Sequence, residues 1–129
     1  MGATDITGFG FLGHAGEMVV ASGAGIAVDT SRLPLLPHAR ALAEAGQFSG
    51  GMKRNRRYVE TLFGPRLEIG ADIPAVLVSL LMEAETSGGL MFSVRPDRAN
   101  DVRDVFRVAG EEAWEIGEVL SASVLRLRS

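Results

Sequence analysis

The stretch TDITGFGFLGH, Thr4 to His14, sets one carboxylate, Asp5, between the hydroxyls of Thr4 and Thr7 and follows it with Gly8, Gly10 and Gly13. A carboxylate is a hard oxygen ligand suited to Mg²⁺, which usually combines one or two such groups with phosphate oxygens and water. Gly8 and Gly10 allow the backbone to come close to a ligand and leave amide N–H groups open at a helix start, where the helix dipole favours an anion such as phosphate. An ordinary capped helix start uses the same residue types, because Asp favours such positions. The spacing is neither the P-loop pattern nor the dinucleotide fingerprint.

Two further clusters can carry polar chemistry. TSGGL, Thr86 to Leu90, offers the hydroxyls of Thr86 and Ser87 with Gly88 and Gly89 beside them, which reads either as a close-approach loop or as a helix-ending turn. GGMKRNRRYV sets Lys53, Arg54, Arg56 and Arg57 around Asn55, a set able to hold phosphate oxygens by charge-assisted bonds or to form a solvated basic loop. His14 and His38 have no second histidine close in sequence and read as packed or surface imidazoles. Trp114 and the phenylalanines read as core. No Ser-His-Asp order, HExxH or calcium loop is present, so hydrolase chemistry has no support at residue level.

The elements that must position these residues follow from periodicity. Apolar residues at helical spacing over 9–22, Leu12, Ala15 and Val19 among them, predict a core-facing helix stopped by Gly23. Ile26 and Val28 predict a short strand, and Pro37 can start a helix that Gly46 ends. Gln47 to Met52 reads as loop, followed by a short amphipathic turn of helix that Gly64-Pro65 breaks. Leu67 to Ile69 reads as a brief strand, and Asp72 as the N-cap of a helix through Leu81 that runs out near Thr86 to Gly89. Leu90 to Val94 reads as a buried strand, and Pro96 to Ala109 as a helix ended by Gly110, with Ala99, Val102, Phe106 and Ala109 on one face. Strand candidates at Trp114–Val119 and Val124–Arg128 lie close enough to form a hairpin. This mixture without a strict βαβ rhythm predicts the α+β class, helices packed on a mixed or antiparallel sheet.

At 129 residues, the chain is one domain's worth, 1–129, without repeats or a linker. The net charge of −3 argues against nucleic-acid or anionic-membrane binding through bulk charge. There is no cysteine, so disulfides, thiolate nucleophiles and Cys-ligated metals are excluded within these residues, and no apolar run approaches the roughly 20 residues of a membrane span. A soluble protein is expected. Because Met1-Gly2 stands so close to a motif dense in special residues, a piece of something longer is also expected.

Taken together, TDITGFGFLGH, GGMKRN and TSGGL, with Leu36-Pro37, Gly46 and Gly117-Glu118-Val119 between and after them, resemble the C-terminal domain of the selenophosphate synthetase (selenide, water dikinase) family over essentially the whole chain. Phe11 stands where that family often has Leu, Met52 where Thr is frequent, and Glu83-Ala84-Glu85 where Asp-Pro-Gln often precedes Thr-Ser-Gly-Gly. Without the proline the preceding helix is free to run on.

The resemblance implies a cytoplasmic two-domain homodimer that makes selenophosphate, AMP and phosphate from ATP, selenide and water with Mg²⁺. Its ATP-binding N-terminal domain, with the catalytic lysine and cysteine or selenocysteine, has no counterpart here, so this chain carries no catalytic residue and is expected to be inactive alone. Carried over, the Mg²⁺ ligand falls on Asp5. Thr4, Gly8 and Gly10 shape the wall beside it, and Arg54, Asn55, Thr86, Ser87, Gly88 and Gly89 line the phosphate site. The fold implied is that of the aminoimidazole ribonucleotide (AIR) synthase superfamily, partly ferredoxin-like. A stand-alone ligand-binding or interaction module of this fold, or another ATP-dependent enzyme of the superfamily, are the alternative readings.

Overall fold

In chain order the elements are β1 (Ala3–Asp5), α1 (Gly10–Ser22), β2 (Gly25–Asp29), α2 (Ala39–Glu44), α3 (Gly50–Phe63), β3 (Leu67–Ile69), α4 (Ala75–Leu80), β4 (Leu90–Phe92), α5 (Ala99–Ala109), β5 (Gly117–Leu120) and β6 (Leu125–Arg128). The structure is a computed structural model and describes residues 2–129.

Leu12, Ala15 and Val19 are fully buried along α1, and Gly23 ends that helix in the left-handed region at φ 70°. Opposite them, Leu125 and Leu127 of β6 are buried while Arg126 and Arg128 face solvent, the alternation of a strand with one covered face. α3 joins this core through Val59 and Phe63. Gly16 is what permits that approach, since a Cβ there would stand 2.4 Å from the Phe63 ring. Leu77, Val78, Leu81 and Met82 close the cluster from α4 and the turn after it.

The main sheet has the order β3-β6-β2-β5, with β6 parallel to β2 and β3, and β5 antiparallel to β2. The expected hairpin between the last two strands therefore does not form: β2 lies between them, and each bonds to it instead. On the open face Arg126 pairs with Glu68 at 2.6 Å and Arg128 with Glu118 at 2.9 Å, which keeps that face wet and polar. β1 and β4 make a separate antiparallel pair, Thr4 opposite Met91 and Asp5 opposite Leu90. The whole is α+β, as expected, and no helix among the described residues is long and apolar enough to cross a membrane.

Several boundaries differ from the sequence reading. α3 begins at Gly50, inside the predicted loop, because Ser49 caps it by accepting from Gly51 N–H at 3.1 Å. Its basic run is thus helical, and the helix is a long one. α2 starts at Ala39 rather than at Pro37, after His38 at φ 66°. Asp72 caps nothing: its carboxylate accepts from the Ser129 hydroxyl, which lowers its pKa, and Pro74 occupies the N-cap of α4.

α4 stops at Leu80 despite the missing proline. The carbonyls that a continuing helix needs are taken elsewhere: Leu81 O accepts from Leu12 N–H at 3.0 Å, and Met82 O from the Asn55 amide at 2.9 Å. β4 is shorter than predicted and only Met91 of it is buried. α5 buries no residue outright; Phe106 stacks on Phe92 at 6.0 Å, but a two-stranded sheet is too narrow to cover the helix. Trp114 is exposed, and of the phenylalanines only Phe63 is fully buried, so the expectation that these aromatics form the core fails for most of them.

Candidate functional site

The three motifs, remote in sequence, are bonded to one another. Ile6 N–H donates to Gly89 O at 2.8 Å and Glu85 N–H to Thr7 O at 3.1 Å, so Asp5 to Gly8 runs alongside Glu85 to Leu90. Gly88 is needed where it stands, because a Cβ would lie 2.3 Å from Ile6 O. Asn55 reaches in from α3: its Nδ2 donates to Gly8 O and to Met82 O, both at 2.9 Å, and the side chain is buried. One amide group thus fixes the first motif to the turn that leads into the third. Ser49 N–H donates to both oxygens of Glu83, at 3.1 and 3.3 Å, tying the start of α3 to the same turn.

The predicted residues divide by exposure. Asp5, Gly8, Arg54, Thr86, Ser87, Gly88 and Gly89 are exposed and Thr4 is half-buried. Asp5 ends β1 with no cation within salt-bridge distance among the described residues. A Cβ on Gly8 or Gly89 would meet nothing within 4 Å, so these two leave room above the chain. Gly10 and Asn55 lie behind that surface. Gly10, at φ 72°, has its Cα against the Met82–Glu83 peptide, and its N–H is taken by Thr7 O at 3.0 Å.

Behind the first motif lies a hydrogen-bonded group of side chains that residue types and spacing did not single out as a unit. His14 is buried; its Nδ1 bonds Glu17 Oε2 at 3.2 Å and its Nε2 bonds the Thr7 hydroxyl at 3.0 Å. The Tyr58 hydroxyl donates to Glu17 Oε1 at 2.7 Å. In the tautomer that donates Nδ1–H to Glu17, Nε2 accepts the Thr7 hydroxyl hydrogen. Phe9 lies over this group, stacked on Tyr58 at 4.8 Å and edge-on to His14 at 5.8 Å. The i, i+3 spacing of His14 and Glu17 was a readable signal. Tyr58 was not, since it comes from another helix.

This network gives a pH prediction. The hydrogen bond to Glu17, then burial, then the charge of Glu17 raise the Tyr58 pKa above its ordinary value of 10.0. A raised folded-state pKa means the contribution is complete below the unfolded value and is lost as pH rises through the folded one. Tyr58→Phe should cost about 1 kcal/mol at pH 8 and flatten the fall in stability above about pH 10, as urea titrations at the two pH values will measure.

The described residues contain no group of three or more His, Cys, Asp or Glu able to hold a metal unaided. Asp5 is an exposed carboxylate beside open backbone with no cation partner among the described residues, the chemistry of a single ligand to a hard cation.

Comparison with known proteins puts these motifs in context. The family model described as AIR synthase related protein, C-terminal domain, matches residues 1–128. A selenide, water dikinase of Nitratidesulfovibrio vulgaris (strain Miyazaki F) is 37% identical over 118 residues, 92% of this chain and 33% of that protein. One from Porphyromonas gingivalis is 43% identical over 107 residues, 82% of this chain and 29% of its own. One from Paraburkholderia xenovorans is 41% identical over 119 residues, 92% and 32% of the two chains. The chain spans about a third of the length of the curated relatives it matches.

Proposed function

The chain belongs to the AIR synthase related family, of which it is the C-terminal domain, and from that membership we propose that it is the C-terminal part of a selenophosphate synthetase, forming one wall of an ATP site whose other wall is an N-terminal ATP-binding domain. The observation that carries this reading is the closure of three separate motifs into one exposed surface, with Asp5 at its edge.

In this role Asp5 holds one coordination position of Mg²⁺, and the remaining ligands come from nucleotide phosphates, water and the N-terminal domain. Such an ion would supply positive charge to offset that of the phosphates, with Asp5 as this chain's ligand to it. The chain's own part is to present oxygen and nitrogen donors on a rigid support. Gly8 and Gly89 leave space for close approach, Thr4, Thr86 and Ser87 offer hydroxyls, and Arg54 adds a guanidinium. Gly10, Gly88 and Asn55 hold the loops that carry these groups. The products are selenophosphate, AMP and phosphate, the working protein is a cytoplasmic homodimer, and this chain alone does not turn over ATP.

The test joins the chain to its N-terminal domain and changes Asp5 to Asn. Selenide-dependent AMP formation should fall at least about tenfold, while the unfolding free energy moves by less than about 0.5 kcal/mol because the residue is exposed. Unchanged activity refutes the metal role.

A further inference from the structure

Eight of the thirteen Lys and Arg side chains stand within 4.0 Å of a carboxylate. The others are Arg40 and a group on and just past α3: Lys53, Arg54, Arg57 and Arg66. In a chain of net charge −3, three of the five cations without a carboxylate partner among the described residues thus stand on α3 and a fourth just past it. Arg54, Arg57, Tyr58 and Thr61 follow the three- and four-residue spacing of a single helical face, where like charges a turn apart repel each other unless an anion lies between them.

With Leu62 these four residues line an open groove of about 390 Å³, within the size range of small-molecule sites. Its composition is divided. Arg54 and Arg57 line it with exposed side chains of the type whose guanidinium fork matches phosphate oxygens, and Thr61 adds an exposed hydroxyl. The Tyr58 hydroxyl is held by Glu17, so Tyr58 offers ring carbon to the groove, and Leu62 beside it is 51% exposed. A second hollow across the Tyr58–Leu62 ridge holds one charge of each sign, Glu17 and Arg66, whereas the first is lined by two arginines and no carboxylate, which makes the arginine pair the stronger anion site.

We propose that this groove binds a phosphate monoester with an aromatic or apolar body, the phosphate between Arg54 and Arg57 with the Thr61 hydroxyl, the body against Tyr58 and Leu62. The groove requires neither a metal nor Asp5 and shares only Arg54 with the ATP-site reading, so Arg57, Thr61 and Leu62, which that reading does not use, test it separately.

The experiment titrates the chain with phenyl phosphate and with inorganic phosphate at low ionic strength, in EDTA, following amide and arginine Nε–H NMR signals. Saturable shifts are expected at Arg57 and Thr61. Arg57→Gln should weaken phenyl phosphate at least tenfold, Arg40→Gln should not, and Leu62→Ala should weaken phenyl phosphate while sparing inorganic phosphate. Asp5→Asn should bind as the parent does, which separates this result from any failure of the metal role. Equal losses in Arg57→Gln and Arg40→Gln, shifts centred on Gly8 and Thr86, or no saturation in the millimolar range would each overturn the proposal.

Discussion

Asn55→Asp should lower the unfolding free energy by about 4 kcal/mol at pH 7, the larger of the two strongest effects expected in this chain. The buried Asn55 amide donates to two carbonyls, the part-buried Gly8 O and the buried Met82 O, both at 2.9 Å. An aspartate presents oxygen where they need hydrogen and adds a buried negative charge. Asn55→Ala removes the same two bonds without the charge and should cost about 2–3 kcal/mol. The two variants also differ in pH dependence. Burial beside carbonyl oxygens raises the pKa of the introduced acid, and its protonated form can again donate one hydrogen bond. A raised folded-state pKa makes stability present at low pH and lost as pH rises, so the deficit of Asn55→Asp should shrink between pH 7 and pH 4.5. Urea unfolding of parent and variant at both values measures this, and a deficit that grows on acidification contradicts the clamp.

Gly10→Ala should cost about 3 kcal/mol for a different reason. Gly10 has φ 72°, and a Cβ there would stand 2.6 Å from Glu83 O and 2.9 Å from Met82 C. The left-handed conformation costs an L-residue roughly 1–2 kcal/mol, and forcing backbone apart adds about 1–3. Gly23 is the internal comparison, at φ 70° with nothing within 4 Å of its Cβ position. Gly23→Ala should therefore show the conformational cost alone, about 1 kcal/mol, and the difference between the two thermal or urea melts isolates the contact. Equal losses at both positions would mean that the α1 start does not press on the Met82–Glu83 peptide.

Sequence reading succeeded where the determinants are local. The Leu12, Ala15, Val19 stripe, the left-handed glycines at 23, 46 and 110, and the one-sided alternation of Leu125 and Leu127 each act within a few residues of themselves. It failed where a partner arrives from afar. The polar stretch Ala3–Asp5 is a strand only because Leu90–Phe92 pairs with it. β5 and β6 look like a hairpin because nothing local reveals β2 between them. α4 ends at Leu80 because α1 and Asn55 take the next carbonyls. At the site, residue types flagged Asp5 and the glycines, whereas Asn55's double bond and the Thr7–His14–Glu17–Tyr58 chain depend on contacts between helices.

The pairing of β1 with β4 also bears on the order of events when the chain folds. Gly2 N–H reaches Ser93 Oγ from 91 positions away, at 3.0 Å, and the backbone bonds that hold Gly2 to Ile6 in a strand run to partners similarly remote in sequence. Closing so long a loop carries an entropic cost that a three-residue strand repays poorly until the helices beneath it are in place. The acid-bearing strand is then a late arrival, and the surface around Asp5 exists only in molecules whose core has already condensed. A ligand held there is thereby restricted to the finished fold.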